Sequence, residues 1–342
     1  MRKKTSFHKI LIVKPSSLGD VVHSLPFLNA LHRCFPGVEI HWVIAKGLEG
    51  LLEGHPMVDK CVVIQKDLWK KISRAGSTVR ELRRLSRDLK AEHYDLAVDL
   101  QGLLRSGLIT GATHAPVRIG FAEAREGSRV FYTKEVKGGR GIHAVERYMK
   151  VAGELGCATD EILFPLPPSG PGRYRVTRLI AELGSYAVIV PGARWKTKLW
   201  PAESFGRVAA SLPVRSIVVG SAGDREIAST VVASSSGKAL SLAGETDLTE
   251  LIEIVRRAKV VITNDSGPMH IAAALNIPVV AIFGPTSPVL TGPYGKGHVV
   301  MQSHEPCAPC FKRSCTDPRC MQTIRPEAVA QKARAALKTA HG

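Results

Sequence analysis

The chain has 342 residues, of which 44% are hydrophobic and 23% charged; these proportions are near those of soluble globular proteins and exclude disordered and fibrous classes. Its length suits two domains of ordinary size rather than one enlarged core. Lysine and arginine number 47 against 30 acidic residues, a formal net charge of +17 that points to an anionic partner: nucleic acid, an anionic membrane surface or a phosphorylated small molecule.

No stretch approaches the length of a membrane span, and the apolar run after the basic opening MRKKTSFHK is too short for a signal-peptide core, so a cytoplasmic location is expected. Apolar runs alternating with helical patterns predict βα units around parallel sheets. In the first half, strands are expected at 9–13, 39–44, 60–65, 94–100 and 116–121. A helix is expected over 67–91, where Leu68, Ile72, Val79, Leu82, Leu85 and Leu89 recur at helical intervals. Within the apolar helical pattern after strand one, Pro26 predicts a kink or a shortened first turn.

The stretch FPLPPSGPGR, residues 164–173, is too rich in proline and glycine to continue either element and reads as a linker. Beyond it, strands are expected at 186–191, 215–220, 259–264 and 278–284, with helices near 202–211, 224–234, 247–257 and 267–276. The expected layout is a domain over 1–165, a linker over 166–175, a second domain over 176–325 and a terminal amphipathic helix within 326–342. Ligands of such sheets bind beyond the carboxyl ends of the strands, so the two halves are expected to face each other across a cleft.

Four segments carry chemistry. KPSSLGDVVHSLP, residues 14–26, follows the first strand directly. Asp20 there suits a helix cap, and equally suits a carboxylate that takes a proton from an attacking hydroxyl. Ser16, Ser17 and Gly19 would keep the backbone close to a ligand. NDSGPMHIAAALNIP, residues 264–278, delivers Ser266 and Gly267 to a helix start, where free amides attract phosphate. Asp265 shares the sign of a phosphate and is expected to cap the helix or to hold a neighbouring group. His270 reaches the same anion or is a satisfied half-buried imidazole. Thr286 and Ser287, after the next strand, are secondary ligands.

VPGARWKTKLWP, residues 190–201, sets Arg194, Lys196 and Lys198 around Trp195 and Trp200. This is either a shaped pocket wall or a solvated basic loop with Trp200 packed under the next helix. CAPCFKRSCTDPRC, residues 307–320, spaces four cysteines as C-x2-C-x4-C-x4-C; they hold zinc, remain reduced thiols or form an incidental disulfide. Cys34, Cys61 and Cys157 read as reduced core residues. A G-x-G-x-x-G after the first strand and a Walker A lysine are both absent, which argues against a nicotinamide dehydrogenase and a P-loop NTPase.

Together KILIVKPSSLGDVVHSLP, DLQGLLRSGL, GARWKTKLWP and NDSGPMHIAAALNIPVVAIFGPTSP resemble, in order and over nearly the whole chain, the ADP-heptose-dependent lipopolysaccharide heptosyltransferases. The resemblance implies an α/β GT-B fold of two Rossmann-like parallel-sheet domains, the first holding the acceptor and the second the ADP-sugar. It implies an inverting, metal-independent transfer with no cofactor and no metal ligand. Asp20 would be the catalytic base. Lys198, Arg194, Asp265, Ser266, Gly267, His270 and Thr286 would form the donor site, and Ser17, Gly19, Gln101, Arg125 and Arg147 the acceptor site.

ADP-heptose and Kdo-lipid A are the partners so implied, with the enzyme peripheral to the inner leaflet of the cytoplasmic membrane. The basic surface drawn from Lys70, Lys71, Arg74, Arg80, Arg83, Arg84 and Arg87, with Arg118, Arg125, Arg129 and Arg147, suits that head group. The N-terminal half resembles heptosyltransferase I, whereas CAPCFKRSC resembles the tail of heptosyltransferase II. A nucleic-acid-binding protein would interleave stacking aromatics with these cations, and between 67 and 91 only Trp69 is aromatic.

Overall fold

The computed structural model describes residues 6–65, 75–168 and 174–339, in two compact units, Met1–Pro168 and Ser169–Gly342. Each unit is built on a six-stranded sheet, and every strand pair in both sheets is parallel.

In the first unit the strands are β1 (Lys9–Val13), β2 (Glu39–Ala45), β3 (Lys60–Ile64), β4 (Leu96–Asp99), β5 (Val117–Phe121) and β6 (Lys134–Val136). Their spatial order is β3-β2-β1-β4-β5-β6. The central strand β1 has no alternation of polar and apolar residues because helices cover both faces of a parallel sheet; Ile10, Leu11, Ile12 and Val13 are all fully buried. The chain order reverses between β1 and β4, whose registers pair Val13 with Asp99. That reversal opens a crevice beyond the carboxyl ends of these two strands.

The helices of this unit are α1 (Leu18–His23), α2 (Leu25–Cys34), α3 (Ala75–Ala91), α4 (Leu104–Ala112) and α5 (Ala144–Glu154). Pro26 does more than kink a helix: the chain breaks at Ser24, and Pro26 sits in the first turn of α2, where its missing N–H costs nothing. The helix expected over 67–91 is described from Ala75 onward; Leu68, Trp69, Lys70, Lys71, Ile72 and Arg74 lie outside the described residues.

The second unit holds β7 (Tyr186–Val190), β8 (Arg215–Val218), β9 (Ala239–Ser241), β10 (Val260–Asn264), β11 (Val279–Phe283) and β12 (Val299–Gln302), in the order β12-β11-β10-β7-β8-β9. Its helices are α6 (Tyr174–Leu183), α7 (Ala202–Ser211), α8 (Arg225–Ala233), α9 (Leu248–Arg256), α10 (Gly267–Ala274), α11 (Pro288–Thr291), α12 (Arg319–Gln322) and α13 (Pro326–Thr339). Here the reversal lies between β7 and β10. The terminal helix α13 is part of this core: Val329, Ala330, Ala333 and Leu337 pack in one cluster with Phe205 and Val208 of α7.

Two readings of the sequence change. Cys34, at the end of α2, and Cys157, just after α5, are joined as a disulfide with Cα atoms 5.3 Å apart, so they are not the reduced thiols expected; Cys61 is free and half-buried. They meet because α2 and α5 pack side by side and end together, a proximity that a separation of 123 residues conceals. The strands β6, β9 and β12, of three or four residues each, were not expected, being too short to display a periodicity.

Candidate active site

Beyond β1 the chain turns through Lys14–Ser17 into α1, and Asp20 is the third residue of that helix. Ser17, not Asp20, is the cap residue. Asp20 Oδ2 accepts from both the Ser17 amide (2.8 Å) and the Ser17 hydroxyl (2.7 Å), which fixes the carboxylate against the helix start. Its other oxygen has different company. Asp20 Oδ1 lies 3.6 Å from Lys14 Nζ and accepts from the Tyr148 hydroxyl of α5 at 3.4 Å. The Asp20 side chain keeps 37% of its surface exposed, so the carboxylate that closes the capping box on Ser17 is also open to solvent. Gly19 is buried in the same turn, and Ser17 is half-buried.

Lys14 is 3% exposed and was not singled out from the sequence. Its ammonium donates to the Leu100 carbonyl at 3.2 Å and sits 5.1 Å from the centre of the Tyr148 ring. Burial opposes its charge, but Asp20 first, then Tyr148 and Asp99, outweigh that and hold its pKa above the ordinary lysine value. Burial pushes the Tyr148 hydroxyl upward as well, so it stays a donor.

The end of β4 supplies the neighbouring wall. Asp99 is fully buried and accepts from the amides of Gln101 (2.8 Å) and Gly102 (2.9 Å) and from the Tyr132 hydroxyl (2.7 Å). Burial raises its pKa despite those donors. The turn so fixed carries Gln101, half-buried, and Gly102, whose φ of +67° favours glycine. Gly102 in turn accepts from the amide of exposed Arg125 at 2.9 Å. Arg147, from α5, lies 4.2 Å from the Phe121 ring centre and 4.0 Å from Glu123. Ser17, Gly19, Gln101, Arg125 and Arg147 therefore all lie around the carboxyl ends of β1, β4 and β5 or on the helix packed beside them.

The wider basic surface is partly structural. Arg118 Nε and Nη1 donate to the carbonyls of Phe131 and Ala115, and Arg129 pairs with Glu135 at 2.7 Å, so these two members of the expected basic surface already have partners within the fold. Arg80, Arg83, Arg84 and Arg87 are exposed on α3.

In the second unit, the turns after β7, β10 and β11 converge. Asp265, 6% exposed, accepts at one oxygen from Lys198 Nζ (2.6 Å) and from the Thr286 hydroxyl (2.7 Å), thereby holding neighbouring groups as the like-charge argument requires. Asn264 ties the same turns together: its Nδ2 donates to the Pro191 carbonyl (2.7 Å), and its Oδ1 accepts from the Trp200 amide (3.2 Å). Ser266 occupies the N-cap position of α10, its hydroxyl sharing a hydrogen bond of 3.0 Å with Thr263, and Gly267 opens the helix. His270 is buried in α10, and Arg194 is exposed on the turn after β7.

The two tryptophans part company. Trp200 belongs to the core, edge-on to Phe205 with ring centres 4.8 Å apart and donating to the Ile324 carbonyl, so it is not a pocket wall. Trp195 is half-buried and meets two cations, Lys198 at 4.5 Å and Arg313 at 5.0 Å from its ring centre. Arg313 was missed from the sequence because it lies within the cysteine-rich segment, far along the chain from every donor motif. The arrangement offers an anion two cations, a hydroxyl and a helix start.

The sequence profile of glycosyltransferase family 9, the heptosyltransferases, matches residues 82–320. The lipopolysaccharide heptosyltransferase 1 of Pseudomonas aeruginosa is 34% identical, covering 96% of this chain and 98% of the relative. The chain belongs to this heptosyltransferase family. A lipopolysaccharide heptosyltransferase 2 of Salmonella typhimurium is also similar, at 28% identity over 83% of this chain and 85% of the relative. Among solved structures, Escherichia coli heptosyltransferase WaaC with ADP superposes with a TM-score of 0.77 at 26% identity, covering 96% of this chain and 99% of that one. This heptosyltransferase-family chain is therefore a glycosyltransferase of the GT-B fold, and no described helix is long and apolar enough to cross a membrane.

Proposed function

We propose that the chain transfers a heptose from ADP-heptose to the Kdo sugar of Kdo-lipid A by a single inverting, metal-independent displacement. Asp20 acts as the general base. The observation that carries this reading is the division of labour on its carboxylate: Ser17 fixes one oxygen, and a buried ammonium, Lys14, faces the other. A carboxylate so placed is aimed and has a cation beside its open oxygen, ready to accept a proton from the acceptor hydroxyl as that hydroxyl attacks the anomeric carbon.

Departure of ADP needs positive charge where the diphosphate oxygens gain negative charge. Lys198, positioned by Asp265, meets that need, with Arg194, Thr286 and the α10 start carrying Ser266, Gly267 and His270 as further contacts. On the acceptor side, Ser17, Gly19, Gln101, Arg125 and Arg147 bind the acidic sugars and phosphates of the lipid head group. The exposed arginines of α3 keep the enzyme at the inner leaflet of the cytoplasmic membrane, and lipid rather than nucleic acid is the polyanion.

Similarity to heptosyltransferase 1 over nearly the whole chain supports Kdo as the sugar acceptor. A second reading, addition to an already heptosylated Kdo-lipid A, is supported by the cysteine-rich tail and the likeness to heptosyltransferase 2. Mass spectrometry of products from ADP-heptose with each acceptor separates them. One heptose added to Kdo-lipid A supports the first; activity confined to the heptosylated lipid overturns it in favour of the second.

A further inference from the structure

Between β12 and α12 the backbone runs without helix or strand from Ser303 to Pro318, a length at which an ordered loop generally has a reason to be ordered. Apolar burial does not supply that reason, for Phe311 within it is 48% exposed. What the segment has instead is sulfur. Cys307, Cys310, Cys315 and Cys320 all line one cavity of about 310 Å³, and none of the four is in a disulfide.

The cavity is also bounded by Thr197, Pro285, Lys312 and Glu305, and by Asp317 and Arg319, which pair with each other. Cys320 is buried against the end of β11, so close that a Cβ added to Gly284 would stand 2.9 Å from its sulfur. No three of the sulfurs lie within 4.8 Å of one another. Tetrahedral ligation at about 2.3 Å needs sulfurs spaced by roughly 3.8 Å, so ligation requires the exposed Cys307 and Cys315 side chains to draw inward.

The middle of the loop meets the residues proposed for the donor site. Phe311 donates its amide to the Pro285 carbonyl (2.7 Å), and the Thr197 hydroxyl donates to the Lys312 carbonyl (2.8 Å). The next residue, Arg313, reaches the Trp195 ring that Lys198 also contacts. We propose that Cys307, Cys310, Cys315 and Cys320 bind one thiolate-preferring divalent metal ion, zinc or ferrous iron, which clasps this loop and holds Arg313 beside Trp195 and Lys198.

On binding, the four thiols release four protons and form four metal–sulfur bonds; no electron is transferred. The ion is structural and takes no part in glycosyl transfer. The clasp rests on the donor-site reading, whereas metal binding does not.

The test uses the full chain, purified reduced and without chelator from medium containing both metals. Elemental analysis should find about one equivalent of zinc or iron per chain, released in step with mercurial modification of the cysteines. Cobalt reconstitution should give thiolate-to-cobalt charge-transfer absorption. Cys307→Ser/Cys310→Ser should lose the equivalent and bind ADP about tenfold more weakly, the scale of losing one charge-assisted contact. Five titratable thiols, those of the free cysteines, with no metal taken up from added zinc, iron or cobalt overturns the site. A Cys307–Cys310 disulfide in the purified chain does so too.

If the double variant does not fold, the metal content and cobalt spectrum of the unaltered chain decide alone. Stoichiometric metal with ADP affinity unchanged by its removal overturns the clasp. A metal-loaded chain that transfers no heptose overturns the functional reading and leaves the metal site standing.

Discussion

Lys14 Nζ stands 3.6 Å from Asp20 Oδ1, while Ser17 engages only Oδ2, so the two oxygens of one carboxylate face different partners. An ammonium that is 3% exposed is costly to bury, and its placement beside the accessible oxygen makes Lys14 a positioning residue for Asp20.

Lys14→Met keeps the volume and removes the charge. Without the cation the ionised form of Asp20 loses a positive charge 3.6 Å from Oδ1, so its proton affinity rises. The acid limb of the kcat/KM profile should move to higher pH, with maximal turnover reduced about tenfold and ADP affinity unchanged. A pH–rate profile superposable on that of the unaltered enzyme contradicts this role.

Lys198 and Asp265 form a pair at 2.6 Å whose members are separable by measurement. Lys198→Met should weaken ADP binding by roughly tenfold or more and lower thermal stability, because the Asp265 carboxylate is left buried with only the neutral Thr286 hydroxyl donating to it among the contacts described. Adding Asp265→Asn should restore stability without restoring ADP affinity. Recovery of affinity in the double variant would show that Lys198 serves Asp265 rather than the nucleotide.

Much of this was legible before the fold. The strands β1, β7, β10 and β11 read directly from apolar runs, since burial on both faces leaves no alternation to confuse. Asp265 was expected to cap a helix or hold a neighbouring group, and it holds Lys198 and Thr286. Other relationships depend on three-dimensional proximity. Lys14 looks like any lysine after a strand until Leu100 and Tyr148, far along the chain, are seen to enclose it. Arg313 hides in a cysteine-rich loop, Arg118 and Arg129 are spent on carbonyls and on Glu135, and the pairing of Cys34 with Cys157 has no local signal.

Glu92 gives a pH dependence of stability. Lys60 first, then Lys9, hold its pKa down from 4.5 to about 2. A carboxylate whose folded pKa lies below its unfolded value stabilises the fold above the unfolded value and loses that contribution as pH falls through the folded one. Glu92→Gln should therefore lower unfolding stability near neutrality by about 1 kcal/mol, the scale of a part-exposed network. The deficit should close between pH 4.5 and about 2. Urea melts across that range check it; a deficit constant with pH contradicts the linkage.

Arg125 is exposed beside Gly102, and its side chain is free to meet an anionic head group. Arg125→Glu should raise the acceptor KM about tenfold or more and leave ADP affinity unaltered. It should also weaken sedimentation with vesicles containing anionic phospholipid, an effect that salt reproduces in the unaltered enzyme. Loss of ADP binding with a normal acceptor KM would assign the residue to the other substrate.

The most direct test is single-turnover transfer by Asp20→Asn, a substitution that keeps an oxygen for Ser17 to donate to and removes the basic carboxylate. The rate of heptosyl transfer should fall by about 10² to 10⁴, with ADP affinity and thermal stability close to those of the unaltered chain. Transfer at a near-normal rate contradicts the assignment of Asp20 as the base.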